Sequence, residues 1–189
     1  GGFRDLHVMQ ELYYTTRGGD RFSLAAWYLD SHRGLAMLTS DRNKSKQKQN
    51  TQDERTLRAV AGWERLRNGL KLGARAGYTY TDLRYLLKQD PEGKGQFVVN
   101  TDARSRIHTL FAKAEAEYAL GEKWLFSANA ALHQHRVRSG DLSVIGNNGL
   151  RADTLYRQER FELSAFAAVK WRPVPRLGVA ADLRWELYG

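Results

Sequence analysis

LKLGARAGYTYTD, residues 70–82, decides the fold. Leu70, Leu72, Ala74, Ala76, Tyr78 and Tyr80 take every second position, and Lys71, Gly73, Arg75, Gly77, Thr79 and Thr81 fill the gaps. That period of two marks a β-strand with one apolar and one polar face. The end of the chain repeats it. Leu177, Val179, Ala181, Leu183, Trp185 and Leu187 alternate with Gly178, Ala180, Asp182, Arg184, Glu186 and Tyr188. Residues 161–171 and 123–138 follow the same rule, the latter setting Trp124, Phe126, Ala128, Ala130 and Leu132 against Ser127, Asn129, His133 and His135.

Working outward, segments 4–16, 20–32, 54–66 and 105–119 fit the alternation less cleanly and bring the expected strand number to about eight. FAKAEAEYAL, residues 111–120, is built of good helix formers, so a short helix is the alternative there. The strand reading is taken because Leu110, Ala112, Ala114, Ala116 and Tyr118 alternate with Phe111, Lys113, Glu115 and Glu117, charges that a helix would scatter around its circumference. Several segments reach ten residues. That is longer than the globular average of about 5–6 and close to the roughly 9–11 needed to cross a bilayer.

The expected connections alternate in length. Short turns fall at TRGGDR (16–21), RLRNG (65–69), LGEK (120–123) and RPVPR (172–176), about one every 50 residues. Polar loops are expected at roughly 33–54, 86–104 and 139–158. Short turns at one end and long loops at the other are the layout of an outer-membrane barrel. Aromatic residues bracket the apolar band: Phe22, Trp63, Tyr118, Trp124 and Trp171 beside the turns, Tyr28, Tyr78, Tyr80 and Trp185 toward the loops. Two such belts are how a barrel meets the two membrane interfaces. The expected fold is therefore all-β, an antiparallel meander of about eight long strands in a single transmembrane barrel unit over residues 1–189.

Facing follows from the alternation. Leu72, Ala74, Ala76, Tyr78, Val179, Ala181 and Leu183 are expected to face lipid. Lys71, Arg75, Lys113, Glu115, Asn129, Asp182 and Arg184 are expected to face the lumen. Trp63, Trp124, Trp171, Tyr78, Tyr80 and Trp185 form the girdles. An arginine at Ala76 should then cost far more than one at Gly73. Both ends of the chain fall on the long-loop side, from which a segment of a larger barrel is expected, eight strands of about 22.

Composition narrows the rest. No run approaches 18 apolar residues, so no helical span is encoded. The chain has no cysteine, which removes disulfides and thiolate metal sites. A net charge of +9 fits nucleic acid, an anionic membrane surface or an acidic ligand. The basic run RNKSKQKQ, residues 42–49, lacks the interleaved aromatics of a nucleic-acid surface and could meet lipopolysaccharide phosphates. His133 and His135 share one face and could begin a metal site, but no third ligand lies near in sequence. No phosphate loop, HExxH or nucleophile elbow is present, so no catalytic role and no cofactor are expected.

The hairpin GDRFSLAAWYLDSHRGL, residues 19–35, resembles one in the barrels of TonB-dependent outer-membrane receptors, especially those of the Bacteroidetes. The carriers are the strand pattern Ser23-Leu24…Trp27-Tyr28 and the loop entry Asp30-Ser31…Arg33-Gly34-Leu35. LKLGARAGYTYTDLRYL (70–86) and YALGEKWLFSANAAL (118–132) are similar to the hairpins that follow in those barrels. The resemblance implies a Gram-negative outer membrane, partnership with a plug domain and TonB that are absent from this chain, and active uptake of a siderophore, cobalamin, haem or glycan. It carries over no ligand-binding residue. Two other readings stand beside it: a small complete outer-membrane barrel with a structural or adhesive role, and a soluble basic protein that binds nucleic acid.

Overall fold

The computed structural model describes residues 2–35, 50–89, 98–144 and 150–189. Among them there is no helix; all eight elements are strands: β1 (Phe3–Thr15), β2 (Arg21–Gly34), β3 (Thr51–Arg67), β4 (Leu70–Gln89), β5 (Val98–Leu120), β6 (Trp124–Val144), β7 (Leu150–Val174) and β8 (Leu177–Tyr188). They form one sheet in sequence order, each strand antiparallel to the next. The doubtful segment 105–119 lies inside β5, a single strand of 23 residues. Its helix formers are overridden because each of its faces matches the faces of β4 and β6.

Turn chemistry closes the hairpins. Asn68 and Gly69 both have positive φ, 49° and 76°, as a two-residue turn matching the strand twist requires. At the β1–β2 turn Gly19 takes φ 87°, and the Asp20 amide donates to the Thr16 hydroxyl at 3.1 Å. Gly121 at φ 59° turns β5 into β6.

The long connections are shorter than the sequence suggests. Residues 86–89, 98–104, 139–144 and 150–158 belong to strands, and only 90–97 and 145–149 of those two segments lie outside the described residues. Polarity by itself suggests a loop. Here charged residues continue the ladder, because backbone pairing needs no apolar side chain and opposite charges pair across strands. Of loop 33–54, residues 36–49 lie outside the described residues, and with them the basic run.

The register also fixes a stagger. One cross-strand row runs Thr15, Arg21, Glu64, Gly73, Glu115. The β1–β2 turn begins at that row. The next turn lies three residues further along β3, at Arg67; the third lies two residues beyond Tyr118, at Leu120; the fourth lies three beyond Trp171, at Val174. About 8 residues of stagger at 3.3 Å, spread over about 6 strand spacings of 4.8 Å, tilts the strands by about 40° from the perpendicular to the line of turns, within the barrel range.

Candidate functional site

Register sorts every strand residue onto one of two faces. Leu72, Ala74, Ala76 and Tyr78 of β4 pair with Ala116, Ala114, Ala112 and Leu110 of β5, and these with Ala128, Ala130, Leu132 and Gln134 of β6. The row continues to β8, where Val179, Ala181 and Leu183 pair with Trp171, Val169 and Ala167. All seven residues assigned to lipid therefore share one face. Lys71, Arg75, Lys113, Glu115, Asn129, Asp182 and Arg184 share the other.

Neither face is covered by the described residues. Among the described residues no hydrophobic side chain is buried, and Leu24, Leu57, Leu110, Phe126, Leu183 and Trp185 are all exposed. The chain presents 14213 Å² of surface. A compact monomer of its mass would present about 9200 Å². The sheet has no core of its own, so its apolar face needs another medium or partner against it.

The belts are ordered by specific contacts. Trp124 and Trp171 sit opposite each other with centroids 5.3 Å apart, and Trp124 stacks on Phe126 at 6.0 Å. Trp63 pairs with Phe22, and its indole Nε1 donates to Asp20 Oδ1 at 3.1 Å, which aims its polar edge at the turn. Asp20 also holds Arg65, the cation of this face nearest that turn, at 2.9 Å. At the opposite belt the Tyr28 and Tyr80 hydroxyls point along the strand to the carboxylates of Asp30 and Asp82, at 3.5 and 3.4 Å. His108 completes this belt: it hydrogen-bonds the Tyr78 hydroxyl at 2.7 Å and lies 4.9 Å from the Tyr80 ring. Sequence reading missed His108. Its position two residues beyond Leu110 in the alternation was the available signal.

The polar face is laced with ion pairs. Arg75 meets Glu64 at 3.0 Å, Lys113 meets Glu115 at 2.9 Å and Arg160 meets Glu162 at 2.7 Å; Arg184 pairs with Glu186. It also carries an aromatic stack in which Phe111 lies 6.2 Å from His133, and His133 lies 6.3 Å from His135. The His135 Nδ1 bonds the Thr109 hydroxyl at 3.1 Å. Among the described residues no three His, Cys, Asp or Glu side chains gather closely enough to hold a metal ion. Gly73 is buried here, and a Cβ on it would come within 2.9 Å of Glu115 Cγ. Substitution at Gly73 therefore displaces that side chain, and Asn129, opposite Glu115, is the better site for an added cation.

No protein-family model matches the chain, and no curated protein matches it. Solved structures do. The ferric citrate transporter FecA in its unliganded form aligns over 98% of this chain at a TM-score of 0.64 and 11% identity, with 29% of its own length covered. The Pseudomonas aeruginosa receptor FpvA bound to heterologous pyoverdines aligns over 98% at 0.61 and 10%, with 30% of its length covered. BauA, the ferric preacinetobactin receptor from Acinetobacter baumannii, aligns over 96% at 0.55 and 11%, with 36% covered. The chain thus spans about a third of each of these proteins, and its eight-stranded sheet has the fold of a stretch of TonB-dependent outer-membrane receptor barrel.

Proposed function

We propose that this chain forms part of the wall of a TonB-dependent outer-membrane transporter that takes up a scarce ligand such as a siderophore, cobalamin, haem or glycan. One observation carries the reading: a continuous apolar face, bracketed by two aromatic belts, on a sheet that buries no hydrophobic side chain among its described residues. Leu72, Ala74, Ala76, Tyr78, Val179, Ala181 and Leu183 face lipid. Lys71, Arg75, Lys113, Glu115, Asn129, Asp182 and Arg184 face a lumen shared with a plug domain, and residues 1–189 make up one barrel unit. The likeness to receptors of ferric chelates supports transport over catalysis.

The open sheet favours a larger barrel over a small complete one. Among the described residues β1 pairs with β2 alone and β8 with β7 alone. In a closed eight-stranded barrel those edges would pair with each other. The test is uptake by cells carrying the intact gene. Accumulation of a ferric chelate or corrinoid should depend on both this gene and TonB, and the protein should leave the outer membrane only with detergent. Extraction by salt alone, or growth on every such ligand without the gene, refutes the reading.

A further inference from the structure

Beyond the upper aromatic belt the apolar face changes character. The next row across the sheet reads Asp82, Arg106, Arg138, Arg157, each directly opposite the one before. Directly opposed Cβ atoms lie about 5 Å apart, where like charges repel. Three arginines therefore stand abreast on β5, β6 and β7.

Neighbouring carboxylates relieve this row only at its ends. Asp82 is engaged by Arg104, and Arg157 reaches Glu159 at 3.7 Å, a carboxylate that Arg136 already holds at 2.9 Å. Arg138, in the middle, has an arginine on each side and no ion pair among the described residues. Arg106 makes no ion pair within 4 Å among the described residues either, and the Asp82 carboxylate opposite it is already held by Arg104. At this row the sheet forms a cleft of about 390 Å³, lined by Arg106 and Arg138 above, His108 and Arg136 between, and Tyr78, Leu110 and Gln134 beneath. Its chemistry runs from cationic to apolar along the strand direction.

Height places the cleft at a membrane surface. Along a strand tilted about 40°, each residue climbs about 2.5 Å. Tyr80, ten residues from Leu70 at its turn, stands about 25 Å above the short turns, the height of a barrel's apolar band. Arg138, fourteen residues from Trp124, stands about 35 Å above them, at headgroup level. Basic pockets between membrane helices bind anionic headgroups, and a cationic cleft at headgroup level offers the same charge chemistry.

We propose that Arg106, Arg136 and Arg138 form a binding site for the phosphorylated headgroup of an outer-leaflet glycolipid, whose acyl chains descend over Leu110 and Tyr78. A phosphate seated on this row satisfies the two unpaired guanidiniums and cancels the repulsion along it, and guanidinium is the side chain best shaped to meet phosphate oxygens. A phosphorylated lipid A is the occupant because the cleft is cationic at one end only. The proposal rests on the reading above that this face meets lipid.

The test uses the intact protein in detergent micelles. Binding of bisphosphorylated lipid A is measured by native mass spectrometry against dephosphorylated lipid A, with inorganic phosphate as competitor. The wild type should prefer the phosphorylated lipid by about tenfold or more, and Arg138→Gln should reduce that preference severalfold while the protein stays folded by heat-modifiable gel migration. Arg106→Gln combined with Arg138→Gln should abolish the preference. Removing Arg17 and Arg176 at the short-turn rim takes away the same charge and should leave the preference intact. An unaltered preference in the Arg138 variant, equal binding of the dephosphorylated lipid, or displacement by phosphate at equal concentration overturns the proposal. A fluorophore at position 76, with a quencher confined to lipid tails, separates the two failures. Quenching without phosphate preference refutes the glycolipid site alone, whereas absence of quenching refutes the facing of the sheet.

Discussion

Phe111 lies over Gly77 on the polar face: a Cβ built on that glycine would fall 2.2 Å from the ring's Cε1 and 3.1 Å from the Ala59 carbonyl oxygen. The two residues are direct cross-strand partners. The glycine makes room for a ring that in turn stacks on His133. Gly77→Val should force the ring aside and disturb the stack, costing about 1–3 kcal/mol in the manner of an overpacked site. Urea unfolding of the intact barrel in lipid measures it. A midpoint unchanged from wild type would mean the ring is free to move away at no cost.

Facing is tested by a matched pair of cations. Ala76 on the apolar face is six residues from Leu70 at its turn, and Asn129 on the polar face is five from Trp124 at its own, so the two lie at similar depth. Ala76→Arg should cost about 2–4 kcal/mol at mid-membrane. Asn129→Arg should cost far less, because its cross-strand partner is Glu115. Folding titrations in lipid vesicles compare them, and equal costs would contradict the assignment of faces.

Asp20 ties three things together at the β1–β2 turn: the Thr16 hydroxyl, the Trp63 indole and the Arg65 guanidinium. Asp20→Asn leaves Arg65 on the apolar face without its counter-charge. The Asp20 side chain is 15% exposed and Arg65 is 40% exposed, so water screens part of the loss, and about 1–2 kcal/mol is expected. Trp63 fluorescence should shift as its indole loses the acceptor. An unmoved spectrum together with unmoved stability would deny the turn this role.

The alternation made the two faces legible because a side-chain period of two is a property of the strand itself. Leu70 to Tyr80 and Leu177 to Leu187 announced it, and Asn68-Gly69 announced a tight turn. Strand ends were less legible. Beyond Tyr80 the pattern continues in charge, not hydrophobicity. Arg84 bonds Asp102 at 2.7 Å through both Nε and Nη2, and Arg104 bonds Asp82, pairings that need knowledge of the register. For the same reason Arg106 and Arg138, at the loop-side ends of the expected strands 105–119 and 123–138, give no sign in the sequence that they are partners on one face. Phe111 sits at a polar-face position, and only its partner Gly77 explains its size there.

The crossed Arg84–Asp102 and Arg104–Asp82 pairs should matter locally. Both arginines are about half exposed, at 48% and 50%, which limits each pair to about 1 kcal/mol or less. Replacing Asp82 and Asp102 with Asn should raise amide exchange in residues 83–86 and 101–105 while leaving the barrel's unfolding midpoint almost unchanged. A loss of several kcal/mol would show that these upper strands stabilise the membrane-embedded part.

The edges decide whether these eight strands can stand alone. β1 and β8 have 13 and 12 residues, and in an antiparallel edge about half of them turn an N–H and a C=O outward without partners. Each such group left in hydrocarbon costs several kcal/mol. A dozen or so residues over the two edges therefore add roughly tens of kcal/mol, far above the roughly 5–15 kcal/mol by which domains are stable. No open sheet survives that in lipid. The isolated 189-residue chain refolded into vesicles should oligomerise or aggregate through β1 and β8, whereas the intact protein should give a single heat-modifiable monomer. Disulfide trapping between cysteines placed at Val8 on β1 and Leu183 on β8 resolves the remaining case. An efficient intramolecular cross-link in a monomer would mean that the strands close on themselves, and it would replace the transporter wall with a small complete barrel.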